Sequence, residues 1–151
     1  MSNWTAITET LLATGKNSSI MTSVQSLAAA QSLSDPVPEM IADVTATIRA
    51  AISTGNILDL DATKIPNSLK GLAIRMLTLR MKDYIEMEMS SYEKTQADAD
   101  RSYLNRIMDE KIRFELPDEP GGSAEMQTPG SLETISGTCR DQYTRRGMDG
   151  L

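Results

Sequence analysis

The sequence predicts an all-α protein, a small helical bundle around a long central helix, followed by an extended C-terminal arm. At residues 65–89, apolar side chains placed at about 100° per residue cover more than half of the helix circumference. A helix of this kind must be covered by neighbours on several sides. After Leu116 the helical periodicity ends, and glycine and proline become frequent. We therefore expect a helical bundle domain at 1–116 and an extended Gly/Pro-rich arm at 117–151.

Composition restricts the functional classes. The 151 residues include one cysteine, Cys139, and no histidine, so an internal disulfide and a Ser-His-Asp triad are both excluded and zinc ligands are scarce. A net charge of −6 argues against nucleic-acid binding as the main activity. No apolar run approaches the roughly 20 residues of a membrane span, and the first residues lack the pattern of a signal peptide. We expect a protein that is made in the cytoplasm, is used there or released from it, and has no membrane partner.

Two helical segments are predicted before residue 35. The first has apolar residues at helical spacing and ends near Gly15; these residues are Trp4, Ile7, Leu11 and Leu12. We expect this short helix to dock Trp4 against the bundle. The second is capped by Ser18 or Ser19, and its apolar positions are Ile20, Val24, Leu27 and Ala28.

A stronger helix is predicted to begin at Asp35, a suitable N-cap, with Pro36 as its first residue. Gly55 is expected to end it in a left-handed conformation. The inner stripe consists of Val37, Ile41, Val44, Ile48, Ala51 and Ile52. The outer face is small and lightly charged, and it is either a contact surface or plainly exposed; it consists of Ala42, Thr45, Ala46, Arg49 and Ala50.

The loop that follows contains Asp59 and Asp61, which suggests calcium. A calcium-binding EF-hand loop that starts at Asp59 needs glycine at its sixth position and glutamate at its twelfth. Those positions hold Lys64 and Lys70, so we predict no metal site and interpret the aspartates as loop-solvating or helix-capping residues.

The central helix is predicted to start with Pro66 at its first position. Its apolar residues are Leu69, Leu72, Ala73, Ile74, Met76, Leu77, Leu79, Met81, Tyr84 and Ile85. One helix could continue to Lys111, but the next apolar set would then point away from the core. A bend near Ser90 to Thr95 brings both stripes to one core as an antiparallel pair. Residues 112–116 alternate in polarity and form either a short strand or an extended edge.

Charged side chains on these two helices have structural interpretations. Arg80 falls inside the apolar arc, where it either snorkels or pairs with Asp43, Asp83 or a partner's carboxylate. Arg101 and Arg106 belong to a solvated face or form salt bridges with a neighbour. No phosphate-binding loop or dinucleotide-binding turn occurs, and no carboxylate pair is spaced to share a site. We predict no catalytic residue and no cofactor.

The arm at 117–151 holds three arginines against six acids and cannot bury enough apolar surface to fold alone. Widely spaced apolar and basic residues punctuate it. We predict that they bind a partner chain; they are Leu132, Ile135, Arg140, Tyr143, Arg145, Arg146 and Leu151.

From about Met40 to Leu116 the chain resembles the head-to-tail connector (adaptor) proteins of tailed bacteriophages. The resemblance rests on IADVTATIRAAISTGN, IPNSLKGLAIRMLTLRM and YLNRIMDEKI, and on a small bundle followed by an extended ending. It implies a structural virion protein of the neck, assembled in the host cytoplasm, with no catalytic residues. Copies would form a ring between portal and tail, touching the portal protein and tail or neck proteins, while DNA passes nearby without specific binding.

A second interpretation of the same residues is a cytosolic helical interaction module, a chaperone or regulator that holds a partner peptide. Ten methionines favour an adaptable contact surface as well as core packing, and both interpretations stay open.

Overall fold

The computed structural model describes residues 2–14 and 17–120, which are mostly helical, and the predicted all-α class is confirmed. The partner-binding residues predicted in the arm, together with Gly15 and Cys139, lie outside the described residues. In chain order the elements are β1 (Trp4–Ala6), α1 (Glu9–Leu12), α2 (Asn17–Ala30), α3 (Val37–Ile52), β2 (Lys64–Pro66), a 3₁₀ turn (Asn67–Leu69), α4 (Lys70–Tyr84) and α5 (Ser91–Glu110).

Helix α4 is the centre of the bundle and packs against α2, α3 and α5. Its inner residues Leu72 and Leu77 are buried together with residues of α3 and α5, as the periodicity predicts; these are Val44, Ile48 and Ile107. Met76, which we also expected to be buried, is only partly so. The core thus has the predicted composition, with one side of α4 left open.

The first predicted helix is present only in its second half, as α1, and residues 4–6 form a strand instead. Residues 4–6 pair antiparallel with 64–66, Trp4 lying opposite Pro66, and the Asn67 amide donates to the Asn3 carbonyl at 3.0 Å. Pro66 therefore ends an edge strand, a place that tolerates its missing N–H, and the prediction that it starts the central helix is wrong. Trp4 is buried as expected, but from a strand.

Helix α3 begins one residue later than predicted, at Val37 with Pro36 in the cap position, and it also ends differently. The Val37 amide donates to Asp35 Oδ1 at 2.9 Å, and Pro36 already has helical angles. The helix ends at Ile52 with Ser53 as its cap, and Gly55 is not left-handed. A Cβ on Gly55 would lie 3.1 Å from Lys111 Cβ, so glycine allows the end of α5 to approach here.

The two long helices are separate, and the continuous alternative is wrong. Helix α4 ends at Tyr84, and the connection at 85–90, which we call the α4–α5 loop, comes just before the predicted bend. Glu86 adopts a left-handed φ of 53°, and the Met87 amide donates to the Lys82 carbonyl at 2.9 Å. This is a Schellman ending without glycine. Ser90 and Glu93 form a capping box at the start of α5.

Residues 112–116 run extended against the bundle, and no strand is assigned to them. Asn56 takes the place of a strand partner: its Nδ2 donates to the Ile112 carbonyl at 2.7 Å, and its Oδ1 accepts from the Phe114 amide at 2.6 Å. Trp4 Nε1 donates to the Glu115 carbonyl at 2.8 Å. Beyond the predicted boundary at 116, Pro117 is buried and the Leu60 amide donates to the Glu119 carbonyl at 2.8 Å. The chain therefore stays on the bundle as far as Pro120.

Candidate subunit interface

Helices α3, α4 and α5 leave an open groove of about 620 Å³ between them, which we call the side groove. Its surface is mainly apolar. The gap itself arises because alanines on α3 and α5 leave room between larger side chains. It is lined by Thr47, Ala50, Ala51, Met76, Leu79, Arg80, Ala97, Asp100, Arg101, Leu104, Asn105 and Met108. Met108 is 40% exposed. An exposed apolar surface of this kind is typical of a contact site.

The small outer face predicted on α3 divides in two. Ala42, Ala46 and Ala50 are exposed, and Ala50 lines the side groove. Thr45, by contrast, is buried, and Arg49 turns toward the next loop, so these two do not belong to a contact surface. Helical spacing places these residues on one face of α3, but it does not show which of them a neighbouring segment covers.

Arg49 holds the loop that contains Asp59 and Asp61, in which a calcium site was considered from the sequence. Its guanidinium donates to the carbonyls of Asp59 (2.7 Å), Asp61 (3.0 Å) and Lys64 (2.7 Å). With these carbonyls occupied and a cation beside them, the loop offers a metal ion little. Among residues 2–14 and 17–120 no three Cys, Asp or Glu side chains are grouped to hold one.

The two aspartates of this loop close turns. Asp59 Oδ1 accepts from the Asp61 amide at 2.9 Å, and Lys64 Nζ lies 3.8 Å away. Asp61 Oδ1 accepts from the hydroxyl and the amide of Thr63, at 2.7 and 2.9 Å, which lowers the pKa of Asp61. The prediction that they serve the loop agrees with this geometry. Asp59 Oδ2 is buried without a partner among the described residues.

A bidentate ion pair crosses from α4 to α5. Arg75 donates from Nε and Nη2 to the two oxygens of Asp100, at 2.9 and 2.7 Å, and Gln96 donates to Oδ1 at 3.2 Å. The hydrogen bonds from Arg75 lower the pKa of Asp100 against the opposing effect of burial, and the same contact raises the pKa of Arg75. Although Asp100 borders the side groove, its charge is already neutralised.

The edge of the side groove carries positive charge. Arg80 donates to Asp43 at 2.9 Å, so of the three partners considered from the sequence the structure selects Asp43. This pair is exposed on both sides, and surface pairs contribute little to stability. Arg106 pairs with Glu110 on its own helix, whereas Arg101 is exposed and makes no hydrogen bond or ion pair with any described residue.

Sequence reasoning found the helices that build the side groove but did not find the groove. The helical periodicity predicts Met76 in the core, and it allows two interpretations of Arg101, on a solvated face or in a salt bridge with a neighbour. Three alanines and two methionines facing one gap could have indicated it only if the relative positions of α3 and α5 had been known.

Comparison with known proteins found no family model, no curated protein and no solved structure that matches this chain. Within the described residues, none of the helices combines the length and the apolar character that crossing a membrane requires.

Proposed function

We propose that this chain is a structural virion protein, a head-to-tail connector (adaptor) subunit that forms a ring between the portal and the tail of a bacteriophage. The observation that carries the proposal is the side groove, an open, mainly apolar surface with a cationic edge. The resemblance of residues 40–116 to connector proteins supplies the class of assembly. The chain acts by packing, and no catalytic residue is assigned to it.

A ring subunit needs two different lateral surfaces, because head-to-tail contacts between copies close a ring when the rotation allows it. The side groove provides one of them. Small side chains such as Ala50 and Ala97 let a neighbour approach closely, and adaptable ones such as Met76 and Met108 fit its shape. Covering apolar surface is worth about 25 cal/mol per Å². The groove therefore supports assembly without a catalytic centre.

The arm extends the contacts along the axis of the ring in this proposal. The described residues end at Pro120, which forms an isolated β-bridge with Asp59 of the bundle. We assign the residues that follow to the portal or to a neighbouring subunit, with Leu132, Ile135, Tyr143 and Leu151 as apolar anchors. Arg140, Arg145 and Arg146 would meet acidic groups there. The net charge of −6 suits a channel through which DNA slides without being held.

Genetic removal of the protein tests the proposal. In a phage that encodes this chain, a nonsense mutation should yield DNA-containing or leaking heads and free tails that do not join, as seen by electron microscopy of the lysate. Complementation with Ala50→Gln, which fills the side groove, should fail. Ala42→Gln places the same side chain on an exposed site of α3 outside the groove, and it should restore joined particles. Joined, infectious particles formed without the protein would contradict the proposal.

A partner-peptide module is the second candidate, and the methionines of the side groove favour it. Met76 and Met108 border an apolar groove next to arginines, which suits an amphipathic acidic helix. Such a module would stay a monomer or a dimer and would be absent from purified particles. Mass spectrometry of purified virions separates the two candidates, since a connector is a stoichiometric virion component.

A further inference from the structure

The α4–α5 loop presents an unpartnered group of acidic and apolar side chains. Glu86, Met87 and Glu88 are all exposed, and Met87 shows 46% of its surface. Neither carboxylate makes a hydrogen bond or ion pair with another described residue. Met87 therefore lies exposed between two carboxylates that have no partner among the described residues, and none of the described residues covers the exposed part of its apolar surface.

The loop is held firmly at both ends. On one side the Glu86 amide donates to the Asp83 carbonyl at 3.1 Å and the Met87 amide to the Lys82 carbonyl at 2.9 Å. On the other, Ser90 and Glu93 close a capping box, and Glu93 also pairs with Lys82. Because the ends of the loop are fixed in this way, its backbone loses little conformational freedom on binding and mainly the side chains must be ordered, which favours association.

We propose that Met87 of one copy of this chain occupies the side groove of the next copy, with Glu86 and Glu88 beside its Arg101 and Arg80. The methionine side chain is unbranched and adaptable, so it fits an irregular apolar groove. Its two carboxylate neighbours meet Arg101, a groove arginine that has no partner among residues 2–14 and 17–120. This inference rests on the proposed ring and names the contact that builds it.

The contact joins two different surfaces. The α4–α5 loop lies where α4 passes into α5, whereas the α5 residues of the side groove begin at Ala97, and Met87 does not line the groove of its own subunit. No described residue of the same copy therefore joins Met87 to the groove, and a neighbouring copy can supply the contact. Such a heterologous contact repeats from copy to copy and closes into a ring or continues as a filament.

Charge explains the orientation of the contact. Copies with a net charge of −6 repel one another at random encounter. The side groove is a local exception, since Asp100 is neutralised by Arg75 while no described acid pairs with Arg101. An acidic loop is therefore drawn to this groove rather than to other faces, and association should weaken as salt is raised.

Two complementary variants of the full-length protein test the contact. Met87→Lys removes the apolar group and places a cation near Arg101, while Arg101→Glu reverses the charge of the groove. Each variant alone should lose self-association, measured by analytical ultracentrifugation, by about tenfold or more in Kd. An equimolar mixture retains one intact loop and one intact groove, so it should recover association at least as far as a one-to-one dimer.

Matched controls carry the same chemical changes elsewhere. Leu60→Lys alters an exposed apolar loop residue, and Arg113→Glu reverses an exposed arginine outside the side groove. Both should associate like the unaltered protein. As a second readout, Met87→Cys and Ala50→Cys, each in a Cys139→Ala background, should form a disulfide between copies when mixed at high concentration. A failed cross-link, or normal association of Met87→Lys, would overturn the inference.

The outcomes also separate this inference from the proposed function. If Met87→Lys still yields joined virions, the ring uses another surface and only the inference fails. If the cross-link forms but virions assemble without the protein, the contact stands and the connector function fails.

Discussion

Arg75 and Asp100 fasten α5 to α4 through two parallel hydrogen bonds, from Nε and Nη2 to the two carboxylate oxygens at 2.9 and 2.7 Å. Nearer the loop, Lys82 pairs with Glu93. Arg75 comes before Lys82 in α4, whereas its partner Asp100 comes after Glu93 in α5. The two helices therefore run antiparallel, as the sequence predicted. The neighbouring Arg101 owes its position on the side groove to this attachment.

Replacing the acid of this pair should loosen α5. Asp100→Asn keeps the shape but removes the charge, and we expect the free energy of unfolding at pH 7 to fall by about 1 kcal/mol, because Arg75 is partly exposed. Chemical denaturation measures it. Asp98→Asn changes an exposed acid on the same helix and should have little effect.

The cost of Asp100→Asn should depend on pH. The pKa of Asp100 is lower in the folded chain than its ordinary value of 3.8, since Arg75 donates to its charged form. The unfolded chain therefore binds the proton first as pH falls, and the stability from this pair is fully present above about pH 4 and lost below it. The difference in the free energy of unfolding between the variant and the unaltered protein should therefore shrink as the pH falls below about 4. A difference that stays constant from pH 7 to pH 3 would contradict the assigned role.

The central position of α4 makes Leu77 a sensitive core residue. Its side chain is fully buried, and Leu77→Ala should lower the free energy of unfolding by about 2–5 kcal/mol through lost burial and the remaining cavity. Leu60→Ala, at an exposed leucine, is the control and should cost little. A loss at Leu77 no larger than that of the control would mean that α4 is not the centre of the bundle.

The elements with continuous helical periodicity could be predicted from the sequence. Ala73 and Leu77 on α4, like Val44 and Ile48 on α3, are four residues apart, which places each pair on one helix face, and all four are buried. Local signals were enough there because each helix carries its own apolar stripe.

Contacts between distant residues could not be predicted in the same way. Trp4 and Pro66 pair across a long separation in sequence, and three-residue strands contain too few positions to show alternation. Glu86 ends α4 in a left-handed conformation without the glycine that usually marks such an end. The side groove arises from the relative placement of three helices, which no single segment encodes.

Asn56 secures the segment that follows α5. Asn56→Ala removes the side-chain hydrogen bonds to Ile112, Phe114 and Ile52, so we expect a loss of about 2–4 kcal/mol in the free energy of unfolding. Hydrogen exchange at the Phe114 amide should accelerate more than exchange in α4. Ser102→Ala, at an exposed position of α5 outside the side groove, should change neither. Uniform acceleration over the bundle would argue against a local anchoring role.

Two truncations locate the end of the bundle. Removal of 121–151 should leave the thermal unfolding midpoint of the bundle nearly unchanged. Removal of 117–151 also takes away buried Pro117 and the bond from Leu60 to Glu119, and it should cost about a further 1–2 kcal/mol. If the protein that lacks only 121–151 is unfolded, residues beyond Pro120 belong to the fold of the subunit, and their assignment as an assembly arm is contradicted.

Electron cryomicroscopy of a neck isolated from virions whose genome encodes this chain decides whether the chain forms the proposed connector ring. We expect a ring of identical copies of this chain next to the portal, with the side groove of each copy covered by its neighbour. A neck in which another protein forms that ring and this chain is absent would show that the chain is not the connector.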